Sequence, residues 1–481
     1  MNSLNRRRFF EQTATSAVGA CLINSLSVGA DEGLLSLVDP LLRAPATLPD
    51  AQNGLLTLDA ALRLIAEVPE GDFETDDCFS TKRPDAQRDR SVADWLDNNA
   101  GILETLENVI KRGKLQFPTG SWDDERLNDL SKYRRLSRYL QLCAQRHLAK
   151  GRVREAAELC LKANQIFRLL EGAGGVYVEF LVTYACQGAC FSLIRRIATS
   201  SATDAKTMRW MLASLPNISE PLAGIRAAIR AEYSCYLLPL LIKVDRSDTA
   251  GKVRNILEWS DGLEIFVPRE KYESRCDKIV RLLDNHPKPF DLADTVKRSN
   301  ALYVGFLRDL DRPWSTCKTQ PTHKVADGLI AWPKELSMIL LDPVDPDQVS
   351  ELELAGAREK LKCVANALGR KILEAIQLDS KSMQQIALTN QASYDGTRIT
   401  LAIAIFAREN GRLPDSLDAL RQAKILDRLP VDPYSSEGFQ YSPDLRALWS
   451  VGWSGKGAPT QPVVGEEDFD PHIWRLDGLP G

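Results

Sequence analysis

The chain has 481 residues, of which 44% are hydrophobic and 26% charged, a balance typical of a globular protein of two or three domains. Its net charge of −4 lacks the basic excess of a nucleic-acid binder, and removing the first thirty residues, which carry +2, leaves −6. Beyond those residues no stretch reaches the roughly eighteen apolar residues of a spanning helix, so no transmembrane span is predicted there.

Residues 1–30 have the layout of a secretion signal. Arg6 and Arg7 belong to a basic segment, a weakly apolar stretch covers residues 13–27, and small residues allow cleavage after Ala30. The arginine pair, with Phe9 two positions later, resembles a twin-arginine signal, which implies export of an already folded protein. An ordinary secretory signal is the alternative. Both predict a periplasmic or envelope-associated protein.

A lipid anchor is a further alternative. Val18-Gly19-Ala20-Cys21 resembles the sequence at which bacterial lipoproteins are cut and acylated. The apolar run before Cys21 is then only about ten residues long, at the short end for such a signal. Acylation of Cys21 would tether the mature protein to a membrane face, whereas cleavage after Ala30 leaves it soluble.

The first part of the mature chain, residues 31–90, is predicted to be irregular because its short apolar runs are interrupted by Pro and Gly. Its last part, residues 82–90, is densely charged and is predicted to form an exposed loop. A helical domain is predicted over residues 91–379, since Val92, Trp95 and Leu96 introduce a spacing of three and four.

Residues 136–170 contain the clearest helical unit. Two apolar stripes flank Gly151 and predict an antiparallel helical hairpin. The turn and the start of the second helix, residues 151–157, resemble a tetratricopeptide repeat, whose small positions correspond to Ala144, Ala156 and Ala163. The resemblance implies stacked helical hairpins.

Further helices are predicted at residues 176–199, 204–215, 220–244, 272–283 and 349–378, the last broken near Gly369. Arg226, Arg230 and Glu232 lie on the third of these, where a solvated or salt-bridged face is favoured over a polar site. The connection from residue 314 to residue 347 is rich in Pro and is predicted to be irregular.

The last segment, residues 380–481, combines a long helix ending near Asn410 with a Gly411–Leu420 turn, an Asp432-Pro433 turn and two short strand patterns. This order resembles the globular end of the type II secretion major pseudopilin. The resemblance implies a small α+β module in which residues 439–441 and 445–451 form a hairpin, with residues 472–476 as another strand. The whole chain resembles families of exported bacterial proteins that join helical regions to such a module.

Two departures limit this resemblance. The loop at residues 453–457 lacks the carboxylates with which pseudopilins bind calcium, and the acidic run at residues 466–470 is predicted to be solvent-exposed instead. The helix before Asn410 carries Lys381, Asp395, Arg398 and Arg408, so it is not the apolar helix through which pilins polymerise. An accessory module that folds without calcium is expected.

No catalytic, cofactor-binding or metal-binding residue is predicted. The ten cysteines form no CxxC pair, and most are interpreted as buried apolar residues. The four histidines are far apart in the sequence, and His147, on the first stripe of the hairpin, is interpreted as structural. The favoured function is a non-enzymatic extracytoplasmic scaffold that binds a protein or envelope component. An exported hydrolase and an accessory component of a secretion or pilus system are the alternatives.

Overall fold

A computed structural model describes residues 36–66, 78–79, 85–118, 124–218, 220–261, 269–317, 351–376, 380–435, 437–453 and 472–480. The fold is mainly helical, with a small three-stranded antiparallel sheet near the carboxyl terminus. The coarse fold class predicted from the sequence is therefore confirmed. The predicted export residues Arg6, Arg7, Phe9 and Ala30, and the alternative anchor Cys21, lie outside the described residues.

The segment predicted to be irregular contains a short 3-10 helix, Pro40–Leu42, and a regular helix, α1 (Gly54–Leu62). Asn53 caps α1 by accepting a hydrogen bond from the backbone N–H of Leu55. Leu55, Leu58 and Leu62 then bury one helical face. The prediction of an irregular segment over residues 31–90 was wrong at α1, where a cap and three leucines at helical spacing outweigh the nearby Pro and Gly.

Two more helices follow, α2 (Ala86–Asn98) and α3 (Ile102–Arg112). The start of α2 shortens the loop that was predicted at residues 82–90. Asp85 causes this, because its carboxylate accepts from the backbone N–H groups of Gln87 and Arg88 and so caps the helix. Gly113 ends α3 in the left-handed conformation, with φ +67°.

The predicted hairpin is present as α4 (Asp124–Ala149) and α5 (Val153–Glu171). Gly151 forms the turn between them with φ +71°, a conformation that favours glycine. Three small side chains on the facing surfaces are fully buried, which lets the helix backbones approach closely: Ala144, Ala156 and Ala163.

The central helices are α6 (Tyr177–Thr199), α7 (Ala205–Ala213), α8 (Ala223–Ala231), α9 (Leu238–Arg246), α10 (Thr249–Asp261), α11 (Arg269–Leu282), α12 (Leu292–Asp309), α13 (Trp314–Cys317), α14 (Glu351–Lys362) and α15 (Ala367–Ala375). A π-helical segment, Glu232–Leu237, joins α8 to α9 where the sequence predicted one continuous helix. Pro239 explains it, because proline has no N–H and clashes with the carbonyl four residues earlier, so the helix widens before it.

Among the described residues, α6 is the one helix long and apolar enough to cross a membrane. Most of that apolar stretch is buried inside the molecule, as in a core helix. Phe191 packs edge to face on Tyr394 with ring centroids 5.5 Å apart, and Gln187 accepts a hydrogen bond from Asn390. Both partners lie on the long helix α16 (Ser380–Asn410), so α6 is covered by protein.

α16 passes through the centre of the molecule. Its five consecutive residues from Leu401 to Ile405 are fully buried, so this part of the helix is covered on every side. They belong to one continuous apolar core with side chains of α1 to α7 and of the sheet. Met383 and Ala387, nearer the start of α16, belong to a second core formed with α8 to α12, α14 and α15.

The carboxyl-terminal part holds α17 (Asp418–Gln422) and the strands β1 (Gln440–Ser442), β2 (Ala447–Trp449) and β3 (Ile473–Arg475). β2 pairs antiparallel with both neighbours, which confirms the predicted hairpin and the additional strand. The buried carboxylate of Asp432 accepts from the Ser450 hydroxyl and from the N–H groups of Tyr434 and Val451. It thereby fixes the Asp432-Pro433 turn to the end of β2. The acidic run at residues 466–470 and loop residues 454–457 lie outside the described residues.

Candidate functional site

A cleft of about 390 Å³ lies beside the carboxyl-terminal half of α16. One wall is the end of α7 with the segment after it, and another is the segment that follows α17. Apolar side chains line part of the cleft: Leu212, Leu215, Ile425 and Leu426. The rest is lined by polar and charged side chains: Arg209, Asn217, Arg398, Asp427 and Arg428.

Arg398 is the most buried of the charged residues in the cleft, with 7% of its surface exposed. Its Nη1 donates to Oδ1 of Asn217. Its Nε is buried and has no hydrogen-bond partner among the described residues. A buried donor without an acceptor costs about 1–3 kcal/mol. Nε is enclosed by protein atoms, so this cost belongs to the folded core.

The wall next to Arg398 is fixed by α16. The Tyr394 hydroxyl, one turn before Arg398, donates to the carbonyl of Pro216. Arg398 itself holds Asn217, the next residue of that segment. The Tyr394 ring is in turn packed against Phe191 of α6, and the guanidinium of Arg168 lies 5.2 Å from its centroid. The backbone at this wall is therefore positioned by the folded core before any ligand arrives.

Arg209 contributes a positive charge that is already paired. Its Nε and Nη2 donate to the two carboxylate oxygens of Glu409, at 2.7 and 2.8 Å. These hydrogen bonds hold the pKa of Glu409 below its ordinary value. The pair joins α7 to the last turn of α16 and orders this side of the cleft.

Arg428 and Asp427 lie on the opposite wall and are exposed. Neither forms an ion pair or a side-chain hydrogen bond within the described part of the chain. Three arginines therefore lie at the cleft, together with the carboxylates of Asp427 and Glu409.

A buried carboxyl group, Asp395, lies three residues before Arg398 on α16. It accepts a hydrogen bond from Nε2 of Gln391. Burial raises the pKa of Asp395 to about 6, although Gln391 and the positive charges of Arg398, Arg428 and Arg168 act in the opposite direction. Near neutral pH a negative charge therefore sits beneath the arginines of the cleft.

The sequence did not single out this cleft. Asp395 and Arg398 were noted as charges within the long helix, and their interruption of an otherwise apolar segment was the available signal. Asn217 and Arg428, which meet them in the fold, come from distant parts of the chain.

Histidine and cysteine are the other side chains that could form a site. His147 lies at the end of α4, where burial, with Arg152 adding to it, lowers its pKa. Within the described segments no three side chains of His, Cys, Asp or Glu come close enough to hold a metal ion. Of the eight cysteines whose side chains are described, all but Cys363 are buried, as predicted for most of them.

The described residues thus form a mainly helical protein with a small carboxyl-terminal sheet and an arginine-lined cleft. No family model, curated protein or solved structure matches the chain.

Proposed function

We propose that the protein is an exported binding protein, without a catalytic role, that holds an acidic group of a partner in the arginine-lined cleft. The guanidinium of Arg428 carries this proposal, because it lines the cleft, is exposed, and forms no ion pair or side-chain hydrogen bond with the described residues. Hydrogen bonds to ionised groups are about twice as strong as those between neutral groups. An acidic ligand is the natural complement of such a donor.

Export and the finer fold assignments are part of the same proposal. The basic start with Arg6 and Arg7 supports a twin-arginine signal and a location outside the cytoplasm. The close approach of α4 and α5 through small side chains supports a tetratricopeptide-like arrangement. A scaffold of stacked helices is suited to present a binding cleft between its elements.

An accessory role in a secretion or pilus system is the second candidate. It is favoured by the order of elements after residue 380, a long helix, an Asp432-Pro433 turn and an antiparallel hairpin. This is the order of the pseudopilin globular end. In that case the acidic group in the cleft belongs to a component of the machinery.

The proposed function is tested by photo-crosslinking in cells that produce the full chain. Ala213 lines the cleft and is exposed, so a diazirine amino acid at this position should trap the partner in the envelope fraction. Arg428→Gln should lower the yield of that adduct about tenfold, because a charge-assisted hydrogen bond is lost.

The matched control places the same diazirine at Ala301, an exposed position on α12 that does not line the cleft. A thermal melt of Arg428→Gln establishes that the variant remains folded, and Arg428→Lys should retain part of the yield through its charge. An adduct that forms equally at Ala301, or that persists in folded Arg428→Gln, contradicts the proposal.

A further inference from the structure

We infer that Asp395 is a proton switch for the cleft: a proton on its carboxyl group strengthens the binding of an acidic group, and the loss of that proton weakens it. This inference rests on the proposed function and specifies how the same site is regulated. Three features carry it: the burial of the carboxyl group, the single hydrogen bond that it accepts, and its place among the arginines of the cleft.

The Asp395 carboxyl group has few partners to stabilise a charge. It is buried, and its Oδ2 accepts a hydrogen bond from Nε2 of Gln391, one turn earlier on α16. In the described part of the chain it accepts no other hydrogen bond and forms no ion pair. A carboxylate offers about four acceptor positions, so ionisation leaves most of them unsatisfied and away from water. Burial accordingly raises the pKa of Asp395 to about 6, and the group changes its charge close to neutral pH.

A proton on Asp395 changes the balance of charge at the cleft. The charged groups at and beneath the cleft are three arginines, Arg209, Arg398 and Arg428, and three carboxyl groups, Asp427, Glu409 and Asp395. When all three carboxyl groups are ionised, the six charges cancel. When Asp395 is protonated, one positive charge is left over, and an incoming anion no longer meets the negative charge beneath the arginines.

The charge of Asp395 acts on the cleft through protein and not through water. Arg398, three residues later on α16, lines the cleft. Arg428 lines it from a separate segment and is near enough for its charge to oppose the rise in the pKa of Asp395. Because Asp395 is buried, water screens these interactions less than it does at the surface. By linkage, an anion bound at the cleft tightens the hold of Asp395 on its proton by the same factor.

Most charged side chains on the elements packed around this part of α16 keep their charge or are already paired. They are Arg168 near the Tyr394 ring, Glu171 with Tyr184 and Gln187, Arg195 with Ser393 and Thr397, Arg209 with Glu409, and Asp418 with Arg421. Arginine stays protonated in proteins, so the arginines contribute a constant charge. His472, just before β3, belongs to the one residue type that ordinarily titrates near neutral pH. Its ring stacks beside Trp474, whose indole lies against Gly396, so the test must separate His472 from Asp395.

Calorimetric titration of the purified full chain with sodium sulfate at pH 5.5 and pH 7.5 tests the switch. Sulfate keeps the same charge at both pH values, so a change in affinity reports on the protein. Wild type should bind sulfate about fivefold or more tightly at pH 5.5, the lower end of couplings between two sites. At pH 6.5 binding should also take up protons, which is measured in two cationic buffers of different ionisation enthalpy.

Variants assign the effect to one residue. Asp395→Asn has no charge at either pH, so it should bind sulfate at pH 7.5 about as tightly as wild type does at pH 5.5, with no proton uptake. Asp427→Asn is the matched control, because it removes an exposed carboxylate from the same cleft. It should tighten binding at both pH values and keep their ratio. His472→Gln should also keep the ratio, and it remains informative if a thermal melt shows that Asp395→Asn does not fold.

The failures of the two proposals are distinguishable. Equal sulfate affinity at both pH values, with binding lost in Arg428→Gln, overturns the switch and leaves the acid-binding cleft. A pH ratio that persists in folded Asp395→Asn, or that disappears in His472→Gln, also overturns the switch. If sulfate does not bind, the adduct at Ala213 is measured in envelope fractions at the two pH values, and a wild-type ratio no larger than that of Asp395→Asn overturns the switch. No sulfate binding and no Arg428-dependent adduct at either pH overturn both proposals.

Discussion

Asp395 connects the chemistry of the cleft to the stability of the protein. Burial raises its pKa from 3.8 to about 6, so the native state binds this proton more tightly than the unfolded chain does. Between those pH values the native state holds more protons, and stability from this group declines as the pH rises through about 6. Protonation of Asp395 therefore stabilises the fold at acidic pH, and its ionisation opposes folding near neutrality.

Asp395→Asn isolates this effect because asparagine keeps an oxygen that can accept from Gln391. Relative to wild type, the variant should gain up to about 3 kcal/mol of unfolding free energy between pH 4 and pH 7. Urea unfolding of both proteins at the two pH values measures the change. A difference between variant and wild type that does not vary with pH would contradict the shifted pKa.

The sequence predicts the burial and the partners of some single residues better than those of others. The burial of most cysteines follows from their apolar character and the absence of paired spacings. The role of Arg398 could not be obtained in this way, because its partner Asn217 lies nearly two hundred positions away in the chain. A charge in an apolar helix signals that a partner exists, but only the fold identifies it.

At the scale of elements, α16 packs closely against the sheet at Gly396. A Cβ added at this glycine would lie 2.5 Å from Cη2 of Trp474, a residue of β3. The indole is itself packed beside Phe439, with ring centroids 5.8 Å apart, so it has little room to move. Gly396 therefore sets the distance between the helix and the sheet.

Gly396→Ala should be less stable than Gly188→Ala by about 1–3 kcal/mol, because overpacking strains the contact with Trp474. Gly188 is a suitable control, since it also lies within a helix and a Cβ there meets nothing within 4 Å. Both substitutions gain helix propensity of about 1 kcal/mol, so the comparison isolates the contact. Equal midpoints and slopes for the two variants in guanidinium unfolding would contradict this prediction. They would show that the sheet moves away from α16 to accommodate the added methyl group.

Elements with strong local signals were predicted well. Gly151 between two apolar stripes predicted the hairpin, and the turn residues near Asp432 predicted the strands that follow. The sequence missed α1, whose nine residues are too short for a clear period, and the π segment before Pro239. Both depend on small differences in free energy among helix capping, the restriction imposed by proline and the packing of neighbouring side chains.

At the scale of the whole molecule, α16 joins the carboxyl-terminal part of the chain to the central helices. Its fully buried residues from Leu401 to Ile405 share one core with α6 and α7. Arg195 of α6 donates to the hydroxyls of Ser393 and Thr397 across this interface. The core is thus continuous across residue 380, where the resemblance to pseudopilins placed the start of a separate module.

The segment 380–481 alone should therefore not unfold cooperatively, because removal of α6 and α7 exposes the apolar residues from Leu401 to Ile405 to water. Circular dichroism melting and gel filtration of the isolated segment measure this. Co-expression with residues 31–379 should restore a soluble complex with a cooperative transition. A sharp melt of the isolated segment would establish that α16 folds independently of the helices around it.

The central position of α16 also has a consequence during synthesis. The ribosome completes α6 about 180 residues before it reaches the start of α16, an interval of about 10–40 s at about 5–20 residues per second. For that time the apolar surfaces that α16 later covers face water or a chaperone. The final strand is made later still, so the nascent chain has no finished core until translation ends. Under the proposed twin-arginine export, the translocase must wait for this last step, and cells that shorten the interval between translation and transport should then export less of the protein.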